Sequence, residues 1–241
     1  MCVIFFAFQA RAEFPLVLAA NRDEFYDRPT ERARFWPDFP YIFAGRDLVG
    51  GGTWLGVTKN GRFAAVTNYR DPLAPKGTRT RGGLVADFLK GNEPAALYLE
   101  RIESEKDEFS GFNLLVGEIN SRTRELFYFS NRGGPVRRLE SGIYGLSNHL
   151  LDTPWRKIEK GKAGFSELLG RRVFSKEPFF ELLKDEATAA EHELPDTGVG
   201  PELEKMLSAI FIKTPVYGTR SSSVLTIDRN FEFDLEERVF F

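Results

Sequence analysis

The sequence predicts an α+β domain built on antiparallel sheets. Three observations predict it: the first half is a series of short β-rich segments, a pair of amphipathic stretches interrupts them, and further helices followed by strands complete the chain. That order suits segregated layers of sheet and helix better than alternating βαβ units. The strands are residues 2–8, 14–20, 53–58, 62–69, 112–119 and 125–129, each an apolar or β-rich run bounded by turns. Asn60-Gly61 reads as a two-residue type I′ hairpin turn, a register that sets Asn68 opposite Thr53 and beside Gly50-Gly51-Gly52. Residues 83–90 and 94–103 repeat apolar positions at three- and four-residue spacing and form adjacent helices. Later helices cover 154–169, 178–184 and 201–211, each with proline at its first position. Residues 187–200 form an acidic, turn-rich loop, and strands at 222–227, 231–233 and 238–241 close a sheet. No repeat or shift in composition divides the 241 residues, so one domain over 1–241 is expected.

Composition excludes several classes. The net charge is -2 and no long basic block occurs, so nucleic acid is not an expected partner. A single cysteine cannot form an internal disulfide, and with only two distant histidines, His149 and His192, no metal site or required cofactor is expected. The apolar start lacks the positive region of a signal peptide and stops at Gln9 and Arg11, so a buried strand explains it better. No window is long and apolar enough to span a bilayer, and a soluble, cytoplasmic protein is expected. The 23 phenylalanines point to a large aromatic core, or else to an apolar cleft.

Chemistry concentrates at the start of the chain. Removal of Met1 would place a thiol and an α-amine on Cys2, and with ordinary pKa values of about 8.5 and about 7.7–8.0 the amine can serve as base for its own side chain. The alternative is a small apolar residue at the start of a core strand. Residues 10–13 are the polar break between the first two strands, which centres the hairpin between Arg11 and Ala12 and places Asn21 opposite Cys2. A slip in register would bring Arg22 or Asp23 there instead. Asn21 can then hydrogen-bond a substrate or oxyanion, Arg22 can lower the thiol pKa, and Asp23 can hold the charged α-amine; a solvated strand end with an Arg–carboxylate pair is the plainer reading.

Gly50-Gly51-Gly52 is no dinucleotide loop, because its spacing is wrong and a strand follows where a helix should. Thr78 to Gly83 precedes a helix, so its backbone N–H groups with Arg79 and Arg81 could hold an anion, although an N-cap at Thr80 explains most of the pattern. His149 is a general base or a structural histidine, and Trp36 and Trp54 line the cleft or fill the core.

Met1-Cys2, Asn21-Arg22-Asp23-Glu24-Phe25, Arg28-Pro29, the run from Gly51 to Gly56, Thr67-Asn68-Tyr69-Arg70, Leu146-Ser147-Asn148 and the run from Gly218 to Ser222 together resemble the NRDE, or transport and Golgi organisation, family. The resemblance runs nearly end to end. It implies the N-terminal nucleophile hydrolase superfamily and a four-layer αββα sandwich, with the choloylglycine hydrolase and penicillin acylase branch most similar. Carried over, it makes Cys2 the nucleophile with Asn21 and Asp23 beside it, Asn68 a further site residue, Asn148 the oxyanion donor and Arg220 the late arginine of the site. One position departs: Ala20 stands where the branch has arginine, so the charge that activates the thiol must come from Arg22 or Arg220, or activation is weaker.

Two functions follow from the resemblance. One is a hydrolase or acyltransferase acting on an amide or thioester through Cys2. The other is a binding protein that carries haem, acyl-CoA or lipid without turnover, its ligand a small amphipathic or anionic molecule. Haem is expected only as a carried ligand, since the sequence offers no obvious ligand pair for it. A scaffold binding another protein through the acidic loop is a third possibility, and oligomeric state is not legible.

Overall fold

The protein is described from a computed structural model covering residues 2–241. In chain order the strands are β1 (Cys2–Arg11), β2 (Phe14–Phe25), β3 (Thr30–Phe35), β4 (Ile42–Asp47), β5 (Leu55–Thr58), β6 (Arg62–Asn68), β7 (Phe112–Ile119), β8 (Arg124–Ser130), β9 (Arg137–Arg138), β10 (Gly142–Leu146), β11 (Tyr217–Ile227) and β12 (Phe233–Val239). The helices are α1 (Arg81–Lys90), α2 (Ala95–Ser104), α3 (Arg156–Leu169), α4 (Glu177–Leu183) and α5 (Pro201–Met206). One sheet has the order β10-β1-β2-β11-β12 and the other runs β3 through β9 in sequence, and every pairing within them is antiparallel.

Three apolar clusters bind these layers. Ile4, Phe6, Leu16 and Leu18 of the first sheet meet Leu55, Phe63, Ala65 and Leu115 of the second. Val3, Phe5, Val17 and Ala19, the alternate positions, face Ile158 and Phe165 of α3 and Phe179 and Phe180 of α4. On the far side Ala64, Val66 and Leu114 meet Leu84 and Phe88 of α1 and Leu99 of α2. The result is the αββα sandwich, and it explains why β1 and β2 are apolar without alternation: both of their faces are covered. Phe5, Phe6 and Phe8 are fully buried, each stabilising the fold by about 1.5–3 kcal/mol. About half of the phenylalanines build core in this way, while Phe25, Phe35, Phe240 and Phe241 are exposed. Trp36 joins the outer cluster with α1. α1 and α2 are adjacent as expected, with the Tyr98 hydroxyl donating to Leu84 O at 2.6 Å.

Several expectations need correction. In the first hairpin Cys2 pairs with Arg22, and Asn21 pairs with Val3. The tip is Ala12-Glu13, and a bulge at Gln9 and Ala10, with Gln9 at φ +49, shifts the pairing. The second hairpin also differs by one residue. Gly61, at φ +82, donates its N–H to Thr58 O at 3.0 Å, so Lys59 and Asn60 form the bend and Gly61 the left-handed position after it. Leu55 thus pairs with Ala65 and Val66 N donates to Trp54 O at 2.8 Å, a register that carries Thr67 rather than Asn68 to Thr53, while Asn68 pairs with Phe112 on its other side. β3, β4, β9 and β10 were not expected, and the strands at 231–233 and 238–241 are replaced by the continuous β12. α3 begins after Trp155, so Pro154 is not its first residue; Pro178 is the second residue of α4, and α5 stops at Met206 well short of Phe211.

Candidate functional site

Alternation along β1 and β2 decides which groups can meet. Cys2 and Arg22 share the inter-sheet face with Ile4 and Ala20, whereas Asn21 follows Val3 and Ala19 toward the α3–α4 layer. Cys2 is buried, its carbonyl accepts from Ser147 Oγ at 3.1 Å, and it borders a cavity of about 260 Å³ at the end of the sheets. Arg22, Asp23, Asn68, Asp47, Trp54 and Arg81 are among the other residues lining it. No phenylalanine lines it, and Trp54 rather than Trp36 reaches it.

The predicted residues divide into two groups. Cys2, Arg22, Asp23 and Asn68 come together at the cavity. Asn21, Asn148 and Arg220 do not line it, and each is engaged elsewhere. The Asn21 amide donates to Leu183 O at 2.8 Å and Ile210 O at 2.9 Å, and its Oδ1 accepts from Ser222 Oγ at 2.6 Å. It ties the end of α4 and the segment before β11 to the first sheet. Asn148 Nδ2 donates to Asn68 O at 2.9 Å, so this amide holds the Asn68 backbone in place of an oxyanion. Arg220 is the extra residue of a bulge in β11, between the pairs Thr219–Asp23 and Ser221–Arg22. Its Nη1 donates to Phe25 O, Tyr26 O and Arg28 O at 3.1, 2.8 and 2.6 Å, and Nη2 to Phe241 O at 3.2 Å. The late arginine is thus a clamp on the loop after β2, not a partner of the thiol.

Charge around the cavity is largely matched. Arg28 Nε lies 2.7 Å from Asp47 Oδ2 and 3.8 Å from Glu24, and Arg22 lies 3.7 and 3.9 Å from the same two carboxylates. Burial alone would raise Asp47, but the Arg28 hydrogen bond and the N–H of Gly50 hold it below the usual carboxylate range. Burial pushes the Cys2 thiol up to about 11; the Asp23 carboxylate adds to the rise, while Arg22 and the Asp23 N–H oppose it. Asp23 is itself raised by burial, against the pull of Lys157, Arg22 and a 2.7 Å hydrogen bond from Thr219 Oγ1. Lys157, on α3, is pushed down to about 8 by burial and by Arg70. His149 Nδ1 shares a 2.8 Å hydrogen bond with Thr153 Oγ1 and lies away from the cavity lining, as a structural histidine.

Sequence reasoning missed Lys157 and Asp47, and it treated Arg81 only as half of a possible anion loop. Thr80 makes no side-chain cap on α1. What fixes this corner is the approach of Gly52 to the first turn of α1: a Cβ on Gly52 would lie 2.3 Å from Gly82 O, and Thr53 N donates to that oxygen at 3.2 Å. Among the described residues no cluster of His, Cys, Asp and Glu could hold a metal ion, and no helix is long and apolar enough to cross a membrane.

Known proteins resemble the chain throughout its length. The Transport and Golgi organisation 2 family model matches residues 1–241. The Transport and Golgi organization protein 2 homolog of Homo sapiens is 38% identical over 255 residues, covering 99% of this chain and 92% of that protein. The Drosophila melanogaster Transport and Golgi organization protein 2 is 28% identical over 249 residues, covering 95% and 88%. Among solved structures, the mutant C2A conjugated bile acid hydrolase from Clostridium perfringens superposes with a TM-score of 0.55 at 8% identity, over 100% of this chain and 97% of that one, a likeness of fold. On the four-layer fold of the N-terminal nucleophile hydrolases, this chain belongs to the Transport and Golgi organisation 2 family.

Proposed function

We propose that the protein is a cysteine-dependent hydrolase or acyltransferase that takes the acyl end of an amide or thioester into the Cys2 cavity. The observation that carries this reading is that the chain's one thiol borders a cavity shared with Arg22, Asp23 and Asn68. With Met1 removed, the α-amine of Cys2 takes the thiol proton, the sulfur attacks the acyl carbon, and the amine or thiol leaving group departs with that proton. Water then releases the acid, or a second acceptor takes the acyl group. Asn68 offers an amide to the developing oxyanion, Asp23 orients the α-ammonium, and Asn148 positions Asn68 from behind. A cavity of about 260 Å³ lies below the ~300–1,000 Å³ of sites that enclose a whole drug-sized ligand, so it suits the reacting end of a larger molecule.

A second reading, carriage of haem, acyl-CoA or lipid without turnover, is favoured by burial, which pushes the Cys2 thiol up to about 11 and so works against its action as a nucleophile. Hydrolysis of an amide and acyl-CoA panel, measured beside equilibrium binding of haem and acyl-CoA in wild type and Cys2→Ala, separates the two. Turnover by the wild type that disappears in Cys2→Ala while affinity survives supports the enzyme. Binding with no turnover by the wild type rejects it for the compounds tested.

A further inference from the structure

Arg81 differs from the other arginines at the Cys2 cavity. Arg28 and Arg22 share Asp47 and Glu24, Arg46 lies 2.9 Å from Asp38, and Arg79 lies 2.6 and 3.1 Å from Glu105 and Glu108. Arg81 has no carboxylate within ion-pair distance among the described residues. Its recorded hydrogen bond runs from Nη1 to Gly111 O at 3.1 Å, which secures the guanidinium without neutralising it. The contact between Gly52 and Gly82 fixes the first turn of α1, and so the base of this side chain, against the cavity wall. A half-buried, unneutralised cation facing a cavity with a thiol will favour whatever negative charge forms there.

We infer that Arg81 is the positioning residue of the Cys2 thiolate, supplying from α1 the positive charge that the sequence lacks at Ala20. The inference rests on Cys2 being the reacting group of the site. Burial pulls Arg81 down, and a charged Cys2 followed by Glu24 pulls it back up, so the two groups are within electrostatic reach of each other. The other charges on the thiol come from each neighbouring element. Arg22, Asp23 and Glu24 lie on β2, Arg28 just after it, Arg46 and Asp47 on β4, Arg79 just before α1 and Glu237 on β12. Lys157 of α3 and the Tyr217 phenol of β11 interact with it as well. Arg22 acts on the thiol most directly but shares Glu24 and Asp47 with Arg28, whereas the charge that Arg81 adds from the α1 side has no carboxylate against it.

Because the chain has one cysteine, alkylation reads this site alone. The rate of iodoacetamide labelling of the full chain is followed from pH 6 to pH 10 by intact mass, for wild type, Arg81→Gln and Arg81→Lys. The scan lies below the Cys2 midpoint of about 11, so the expected result is labelling about tenfold slower throughout it in Arg81→Gln, and a profile near wild type in Arg81→Lys. Thr80→Asp, which adds a favoured helix cap and a carboxylate beside Arg81, guards against misfolding of Arg81→Gln and is expected to slow labelling in the same way. A wild-type profile in Arg81→Gln or in Thr80→Asp overturns the inference, as does equal slowing in Arg81→Gln and Arg81→Lys. Labelling needs no turnover, so a shifted profile in a protein that hydrolyses nothing refutes the proposed function and leaves this inference standing.

Discussion

Asn21 belongs to the run that points most directly at a catalytic site, yet its surroundings make it part of the frame. Replacing it with alanine strands the carbonyls of Leu183 and Ile210 and the hydroxyl of Ser222, all in buried residues. A net loss of about 1 kcal/mol per bond, the middle of the range for ordinary intramolecular hydrogen bonds and the low end for a buried partner left unsatisfied, gives about 3 kcal/mol. For a chain of this size that is a fall in Tm of ~6–12 °C, at ~2–4 °C per kcal/mol. Urea unfolding followed by tryptophan fluorescence measures the loss, and the iodoacetamide profile of Cys2 serves as the control for the cavity. The expected outcome is a lower midpoint with the profile of the folded protein unchanged. An Asn21→Ala protein as stable as wild type, with altered Cys2 labelling or turnover, would refute the assignment and return Asn21 to the site.

Further outcomes follow from the same geometry. Glu204→Ala leaves Arg70 buried without the carboxylate 2.5 Å away and should cost about 3–5 kcal/mol in chemical denaturation, most of it recovered in Arg70→Met/Glu204→Leu. Gly52→Ala forces the loop off the first turn of α1, and should both destabilise the chain and change the rate of Cys2 labelling. Lys157 titrates near 8 when folded and near 10.4 when unfolded, so the unfolded chain binds more protons between those values. Its contribution to stability is present in full above the unfolded value and lost as pH falls through about 8, roughly 3 kcal/mol in all, and Lys157→Met should flatten that rise in denaturation measured from pH 7 to pH 10.5. Asn68→Ala keeps the backbone bond to Asn148 and so keeps the fold, but should slow any Cys2-dependent turnover by about 10²–10³.

The union of Cys2 with the segment around Arg22 was legible because a short polar tip between two apolar runs leaves little choice of hairpin. The register was not, since the bulge at Gln9 and Ala10 carries no glycine to announce it. One residue of slip exchanges the faces of a strand, and that moves Asn21 from the thiol to the helix layer. The arginines show a second limit. Arg79 and Arg81 are nearly equivalent in sequence, and only Glu105 and Glu108, brought back by α2 and the turn after it, show which of the two has its charge matched by carboxylates. Ala20 told where a charge was missing, but not that α1 would bring one. β3 was hidden for a simpler reason: it is an edge strand, polar and largely open to solvent, with no periodicity to betray it.

The central claim is that Cys2 is an acyl-accepting nucleophile, and intact-mass spectrometry before and after incubation with an acyl thioester tests it most directly. The expected result is a chain that has lost Met1 and that gains one acyl group as the free thiol is released, with the added mass on Cys2 and absent from Cys2→Ala. A chain that retains Met1 and binds the thioester without gaining mass would contradict it.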